Sequence, residues 1–548
     1  MNLPTPAIVA VRGGQRLPRL ALLFLCAAYV IPGLFGRDPW RNADLSSFGF
    51  MASIAQGHTP WWEPAIGGIP AAGGPLPYWL GAIAIQALPF LDAALAARLP
   101  FALILVCVLV LVWYSSFHLA CTDAAQPVAF AFGGEAHAID YARALADGAL
   151  LALIACLGLL QLGHETTPEL LQLGAVSLYL YALASAPFRV VKSRWAALLS
   201  LPMLAASGAP AVALALALVG ALVCNRSAFK QVRTLSTWLL AAGLLAALSA
   251  WAFNAWAWRI HAKAEIELGL SMLSLIGWFC WPAWPLALWT LWRWRNHWQR
   301  RHIMVPLSCA LVSLVTCVLM GASDRALLLS LPALAALAAF ALPTLQRGIA
   351  AAMDWFSVFF FSASALFFWL YYSSMQTGWP ATPLANMRRL AQGFEPSFNA
   401  AALVLALSAT VAWLALVRWR TARHQAALWK SLVLPASGVA LSWLLAMSLT
   451  LQPFDYARSD RPLVERLRPH VPSDANCIAT PHQALHTMAA LEFQGQWKID
   501  GRNPLAISPC QFAFVNGPVK DLPEGWHQIA QVRRPTERGY GFAVLRRQ

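Results

Sequence analysis

Apolar runs of about twenty residues, separated by short polar stretches, dominate the chain as far as Leu451. They begin near Leu20, Phe101, Gly148, Leu171, Trp195, Val212, Thr237, Leu270, Met304, Ala326, Met353, Ala401 and Leu432. A helix crossing a bilayer needs ~20 mostly apolar residues, so the pattern predicts about thirteen transmembrane helices. Between Trp195 and Cys224, Gly208 and Pro210 either divide one long stretch or separate two short spans. Pro75 to Phe90 is apolar but short, and Gly73-Gly74 and Pro89 flank it. It predicts an interfacial or re-entrant helix, with Trp61, Trp62, Tyr78 and Trp79 near headgroup level. Beyond Gln452 the pattern changes: charges become frequent, and short β-like runs appear at Cys477–Thr480, Phe512–Val515 and Gly541–Leu545. The expected organisation is a transmembrane domain over residues 1–451, with a long first loop at 36–98, followed by a small soluble α/β domain over 452–548.

Composition narrows the class. Of 548 residues 59% are hydrophobic and only 11% charged, where a soluble domain carries about 25% charged residues. That excludes a soluble enzyme and a disordered chain. The net charge of +15 sits largely in short loops between apolar runs, so it sets orientation and does not point to nucleic acid. The dense basic clusters are Arg12/Arg16/Arg19, Arg189/Lys192/Arg194, Arg226/Lys230/Arg233, Arg293/Arg295/Arg300/Arg301 and Arg418/Arg420/Arg423/Lys430. With thirteen spans and a cytoplasmic N-terminus, all fall on the cytoplasmic side. The first loop, the turn at His164–Pro168 and the C-terminus then lie opposite, which in a bacterial inner membrane is the periplasm. Eight of the ten cysteines lie in or near apolar spans and read as buried small residues. Cys477 and Cys510 lie in the exported domain and are expected to form a disulfide.

No phosphate-binding P-loop, HExxH, paired CxxC or GxSxG occurs. The polar residues gather instead at the expected periplasmic helix ends. Asp44 follows the first span and precedes the apolar segment Phe48 to Ala55; it reads either as a helix cap or as a general base at the membrane surface. His164-Glu165-Thr166-Thr167-Pro168-Glu169 is a polar island between two spans, either a plain turn or a place for a metal ion or polar substrate. Arg37, Arg41, Arg98, Arg259, Lys263, Arg325, Arg388 and Arg389 supply basic groups on the same side. Each suits a headgroup anchor, and together they suit a lipid-linked phosphate, which arginine grips through two parallel hydrogen bonds.

These features resemble the GT-C superfamily of membrane glycosyltransferases, and among them the bacterial aminoarabinose-transferase and protein O-mannosyltransferase-like enzymes. The family's acidic pair after the first span falls on Ala43-Asp44. Its proline-rich PLYYW stretch falls on Ala72-Gly73-Gly74-Pro75-Leu76-Pro77-Tyr78-Trp79. Ala97-Arg98-Leu99-Pro100 precedes the second span as in the family, Glu169 falls near its second acidic position, and Ser323-Asp324-Arg325 through Pro332 resembles its Arg-containing entry to a later helix. The sequence departs where Ala43 replaces one acid and Ala72-Gly73 replaces a Glu-Lys pair.

The resemblance implies a polyprenyl-phosphate sugar donor and a lipid (lipid A among them), glycan or protein acceptor at the periplasmic face. It assigns Asp44 as catalytic base, Arg98 with Arg41 or Arg325 to the donor phosphate, and His164, Glu165 and Glu169 to the acceptor or metal side. A divalent metal ion is the one cofactor these residues suggest. The alternative, favoured by the missing charges at Ala43 and Ala72-Gly73, is a non-catalytic carrier or assembly partner on the same fold.

Overall fold

The computed structural model describes residues 5–256, 266–421, 427–472, 475–517, 522–537, 539 and 541–547. Arg259 and Lys263 lie outside them. Each of the thirteen expected runs begins on or beside a helix. By length and apolarity, six described helices can cross a membrane: Ala93–Ala120, Lys230–Ala252, Arg301–Leu319, Arg347–Thr377, Ala400–Thr421 and Lys430–Leu449. Counting the pair Gly269–Phe279 and Ala283–Arg293, bent by 98°, makes seven. Part of the shortfall from thirteen comes from short helices, such as Arg19–Val30 and Pro210–Asn225, and part from helix breaks. The run from Gly148 belongs to Ala138–Ala155, which stops where Cys156 turns extended (ψ 117°) and resumes as Leu157–Leu162. There Gly158 sits so close to the Phe279 ring that any Cβ would overlap it. The run from Ala326 divides into Asp324–Leu328 and Leu331–Ala339, with Pro332 at the start of the second piece.

Burial ranks the long helices. The apolar window of Lys430–Leu449 is 83% buried and forms the middle of the bundle, whereas that of Ala400–Thr421 is 11% buried and faces outward. The expected topology places both ends of the first loop on one membrane side. The loop itself folds into helix Ala43–Ala55, a hairpin of β1 (Ala65–Ile66) and β2 (Ile69–Pro70), and helix Leu76–Ala87. The two helices meet where Gly81 leaves room for the Met51 side chain. Asp92 then caps helix Ala93–Ala120 by accepting from Ala94 N and Leu95 N.

Leu76–Ala87 is the short apolar helix expected from Pro75 to Phe90. Its aromatic residues divide differently from the expectation. Tyr78 is buried against Phe50, with ring centroids 4.9 Å apart, while Trp79 donates to the Trp61 carbonyl at 2.6 Å. Just before this helix, Gly73 and Gly74 lie against Ala206–Gly208, and a Cβ on Gly74 would collide with the Ala206 carbonyl. Where the resembling family carries Glu-Lys, this chain packs backbone on backbone.

After helix Leu451–Arg458 comes helix Arg461–Leu467, followed by strands β3 (Ile478–Ala479), β4 (Ile499–Asp500), β5 (Phe512–Asn516), β6 (Trp526–Val532) and β7 (Phe542–Arg547). They form one sheet in the order β4-β3-β5-β7-β6. β3 is parallel to β4 and β5, which are reached through helix Leu485–Phe493, and β7 runs antiparallel to β5 and β6. Cys477 and Cys510 precede the neighbouring strands β3 and β5 and are joined by a disulfide. β6 is exposed over most of its length and its register shifts between Gln528 and Ala530, so it lacks a clean alternation and the sequence carries no strand signal there.

This C-terminal unit docks on the first loop. Helix Leu485–Phe493 lies across Ala43–Ala55 at Gly49, where an added Cβ would come within 2.5 Å of Ala489 Cβ. The Phe48 and Phe493 rings meet edge to face at 4.6 Å. Glu492 accepts from Gly67 N at 2.8 Å, and burial, outweighing that hydrogen bond, raises its carboxyl to about 7. An acid raised in the fold binds its proton more readily there than when unfolded. The docked state therefore gains stability as pH falls through 7 toward the ordinary glutamate range, and loses it as pH rises. Glu492→Gln keeps an acceptor for Gly67 without the charge. At pH 8 the variant should melt above the parent by roughly 2–4 °C, with the gap closing near pH 5. Thermal unfolding of the full chain at the two pH values measures this, and an equal or lower Tm at pH 8 would contradict it.

Candidate active site

The sequence around Asp44 explains its position. Asn42 enters helix Ala43–Ala55 at φ 70°, a left-handed conformation that asparagine tolerates better than most residues. It is Asn42 that stands at the N-cap, without a side-chain cap bond. Asp44 is the second residue of the helix and is 1% exposed, so the reading of Asp44 as the helix cap is corrected. Its Oδ2 accepts from Trp40 N at 3.0 Å, and its Oδ1 accepts from Thr166 N at 2.7 Å and Thr166 Oγ1 at 2.8 Å. Asp44 thereby ties the first loop to the His164–Pro168 turn, 122 residues away in sequence.

The nearest cation is Arg37, with Nη2 3.8 Å from Asp44 Oδ2. Its side chain is fully buried. Nη2 donates to the His164 carbonyl at 2.5 Å, and the guanidinium lies 4.5 Å from the centre of the Trp40 ring. Arg98, near the start of helix Ala93–Ala120, is buried beside it and makes one long contact, Nη1 to the Leu34 carbonyl at 3.4 Å. Three N–H-bearing atoms of this pair, Arg37 Nε and Nη1 and Arg98 Nη2, are buried without a hydrogen-bond partner among the described residues. Burial alone would raise the Asp44 carboxyl. The charges of Arg37 and Arg98, with the bonds from Thr166 and Trp40, outweigh it and hold the group below the usual carboxylate range.

On the far side of Asp44 the signs alternate again. Arg325 Nη2 donates to Glu165 at 2.8 Å and Nη1 to Glu169 at 3.4 Å, while Gln161 donates to the other Glu165 oxygen at 2.8 Å. Burial first, and then the negative Asp44, raise the Glu165 carboxyl in spite of Arg325. Two cavities flank this row of charges. A polar one of about 590 Å³ is lined by Arg37, Asp38, Arg98, Asp455 and Arg461. A second of about 220 Å³ is lined by Glu169, Gln172, Trp256 and Arg325. Asp44 and Glu165 stand between them.

Several expected roles shift in this geometry. Arg41 is engaged by the C-terminal unit, pairing with Glu537 at 2.5 Å, so Arg37 takes the place beside Asp44. Arg325 joins Glu165 and Glu169 rather than Arg98, because the break at Ser323 carries it onto the His164–Glu169 segment. His164 is half-buried, with Nδ1 2.6 Å from the Leu160 carbonyl and Nε2 2.8 Å from the Tyr29 carbonyl. Burial, with Arg37 nearby, pushes it down to about 4 against the pull of those carbonyls, so the neutral ring donates to only one of them. Both ring nitrogens face protein oxygens and both glutamates face Arg325. Among the described residues no group of three or more His, Cys, Asp or Glu side chains is placed to hold a metal ion. The metal reading of His164, Glu165 and Glu169 does not fit this arrangement. Arg388 and Arg389 lie apart, in the last turn of Ala381–Leu390.

The sequence reading missed Thr166, Trp40 and Asp455. Asp455 Oδ1 accepts from Asp38 N at 2.9 Å and Trp40 Nε1 at 3.1 Å, anchoring helix Leu451–Arg458 to the first loop. Trp40 lies between two guanidiniums, Arg37 at 4.5 Å and Arg458 at 4.9 Å. The run Arg37-Asp38-Pro39-Trp40 beside Asp44 carried the signal for part of this cluster.

A scan against protein-family models and a search of curated proteins find no match to the sequence. Among solved structures, ArnT from Cupriavidus metallidurans matches in two crystal forms. The form bound to undecaprenyl phosphate has a TM-score of 0.58 and the apo form 0.59, each at 13% identity over 96% of both chains. The archaeal oligosaccharyltransferase AglB from Archaeoglobus fulgidus matches with a TM-score of 0.49 and 11% identity, over 91% of this chain and 68% of its own. The chain shares its fold with ArnT along nearly its whole length.

Proposed function

We propose that this chain is a multi-pass membrane glycosyltransferase that moves a sugar from a polyprenyl-phosphate donor to a lipid, glycan or protein acceptor on the membrane face bearing the first loop. In a bacterial envelope that face is the periplasmic side of the inner membrane. The observation that carries the reading is the buried pair Arg37 and Arg98, with unpartnered N–H groups at the wall of a 590 Å³ polar cavity. Buried N–H groups without hydrogen-bond partners are costly, and a phosphate is an anion that the guanidinium fork fits. The fold shared with ArnT, crystallised with undecaprenyl phosphate, supports the same donor class.

In this reading the donor phosphate occupies the polar cavity against Arg98 and Arg37, and the acceptor enters beside Glu169 and Arg325. The acceptor oxygen forms its bond to the sugar's anomeric carbon as the carbon–oxygen bond to phosphate breaks. The electron pair leaves with the phosphate, where fixed positive charge stabilises it. The acceptor proton passes to a carboxylate, assigned to Asp44 as the only acid at the family's acidic pair. A second assignment, to Glu165, is favoured by its raised pKa, because a general base works best when its pKa approaches the working pH. A chain that binds the donor without transferring it would be the carrier of the alternative reading.

Removing one charge-assisted contact costs about 1.5–3 kcal/mol. Arg98→Ala should therefore weaken polyprenyl-phosphate binding by roughly tenfold to a hundredfold, measured by titration of the detergent-solubilised chain. Unchanged affinity removes Arg98 from the donor site. For the proton acceptor, Asp44→Asn should lower the transfer rate by about 10²–10⁴-fold with donor affinity retained, while Glu165→Gln has a smaller effect. The reverse order moves the base to Glu165. Normal donor binding with no transfer by the parent to any lipid, glycan or protein acceptor supports the carrier.

A further inference from the structure

The first membrane helix, Arg19–Val30, bounds a groove unrelated to the charge cluster. Leu22, Leu23, Cys26 and Val30 form one face of it, at helical spacing, and Val106, Leu109 and Val110 of the antiparallel helix Ala93–Ala120 form the other. Its volume is about 650 Å³. Leu23 is 64% exposed and Val110 46%, so the groove opens sideways where lipid chains would lie. The 12-residue helix measures about 18 Å, close to the ~15 Å depth of one leaflet's hydrocarbon.

The end far from Asp44 is basic. Arg16, Arg19 and Arg143 line it, together with Asp147. Asp147 is the only acid there and is already engaged: Oδ2 accepts from Leu17 N at 2.9 Å and Oδ1 from Trp113 Nε1 at 2.8 Å. Arg143 reaches Asp140 only at 3.4 Å, and that pair is exposed. Three guanidiniums thus line the mouth of an apolar groove one leaflet deep, against the engaged Asp147 and an exposed Asp140 that meets Arg143 alone. We infer that this groove binds an anionic phospholipid, with its headgroup phosphate on Arg16, Arg19 and Arg143 and an acyl chain between the two helices. The site lies in the leaflet opposite the candidate active site and is independent of the transfer reaction.

Native mass spectrometry of the full chain in detergent, titrated with dioleoyl phosphatidylglycerol and with dioleoyl phosphatidylcholine, tests it. The anionic lipid should be retained in preference to the zwitterionic one. A juxtamembrane basic residue contributes about fivefold in binding, so combining Arg16→Gln, Arg19→Gln and Arg143→Gln should weaken phosphatidylglycerol retention roughly a hundredfold. Phosphatidylcholine should be unaffected by that triple change. Ala27→Trp, which fills the groove and leaves the arginines in place, should weaken phosphatidylglycerol as well. Equal retention of the two lipids by the parent overturns the proposal, as does unchanged phosphatidylglycerol binding in either variant. Displacement of phosphatidylglycerol by an equimolar polyprenyl phosphate also overturns it, since the groove would then hold the donor's tail.

Discussion

A carboxylate removed from water must be surrounded by donors and positive charge, and Asp44 imposes that requirement on everything around it. Two peptide N–H groups, one hydroxyl and a guanidinium meet at its two oxygens. They come from the first loop and from the turn before helix Pro168–Ser185. Satisfying one buried charge therefore aligns the first loop with the entry to helix Pro168–Ser185. Arg37 is held in the same way, by Asp44, the His164 carbonyl and the Trp40 ring, yet among the described residues two of its N–H-bearing atoms have no hydrogen-bond partner. The outcome is a preorganised guanidinium with hydrogen-bonding capacity left over.

Alternation of sign extends the arrangement. Arg98 and Arg37 stand on one side of Asp44, and Glu165, Arg325 and Glu169 on the other, with a cavity at each end. Asp44 is held ionised and its charge raises Glu165, so the two carboxyls are pushed apart in acidity. Such a division keeps Asp44 in its charged, proton-accepting form and brings Glu165 closer to its protonated one.

The C-terminal unit is part of the same construction. Arg41 pairs with Glu537 and Glu492 accepts from Gly67, while Gly49 admits Ala489 at close range. Each contact joins the sheet-bearing unit to the first loop. The unit is thus a lid fixed over the helix that carries Asp44, and its fit rests on small residues at Gly49 and Ala489.

The apolar periodicity was enough to place thirteen helical segments, the short helix at Pro75 and strands near Ile478, Phe512 and Phe542, because burial in lipid or in a sheet repeats locally along the chain. Asp44, Arg98 and the His164–Glu169 turn stood out for a related reason: polar groups beside long apolar runs are conspicuous. Partnership was not legible. Arg37 and Arg41 flank the same Pro39-Trp40 step, and only packing turns one toward Asp44 and the other toward Glu537. Arg325 met Glu165 rather than Arg98 because a helix break set by Ser323 and Pro332 directs it there across 160 residues. The number of full crossings likewise depended on breaks such as the one at Cys156, beside which Gly158 packs against Phe279. Local spacing determined which segments are helical and which residues are chemically exceptional. Long-range contacts, which no local pattern encodes, decided which of those charges face one another.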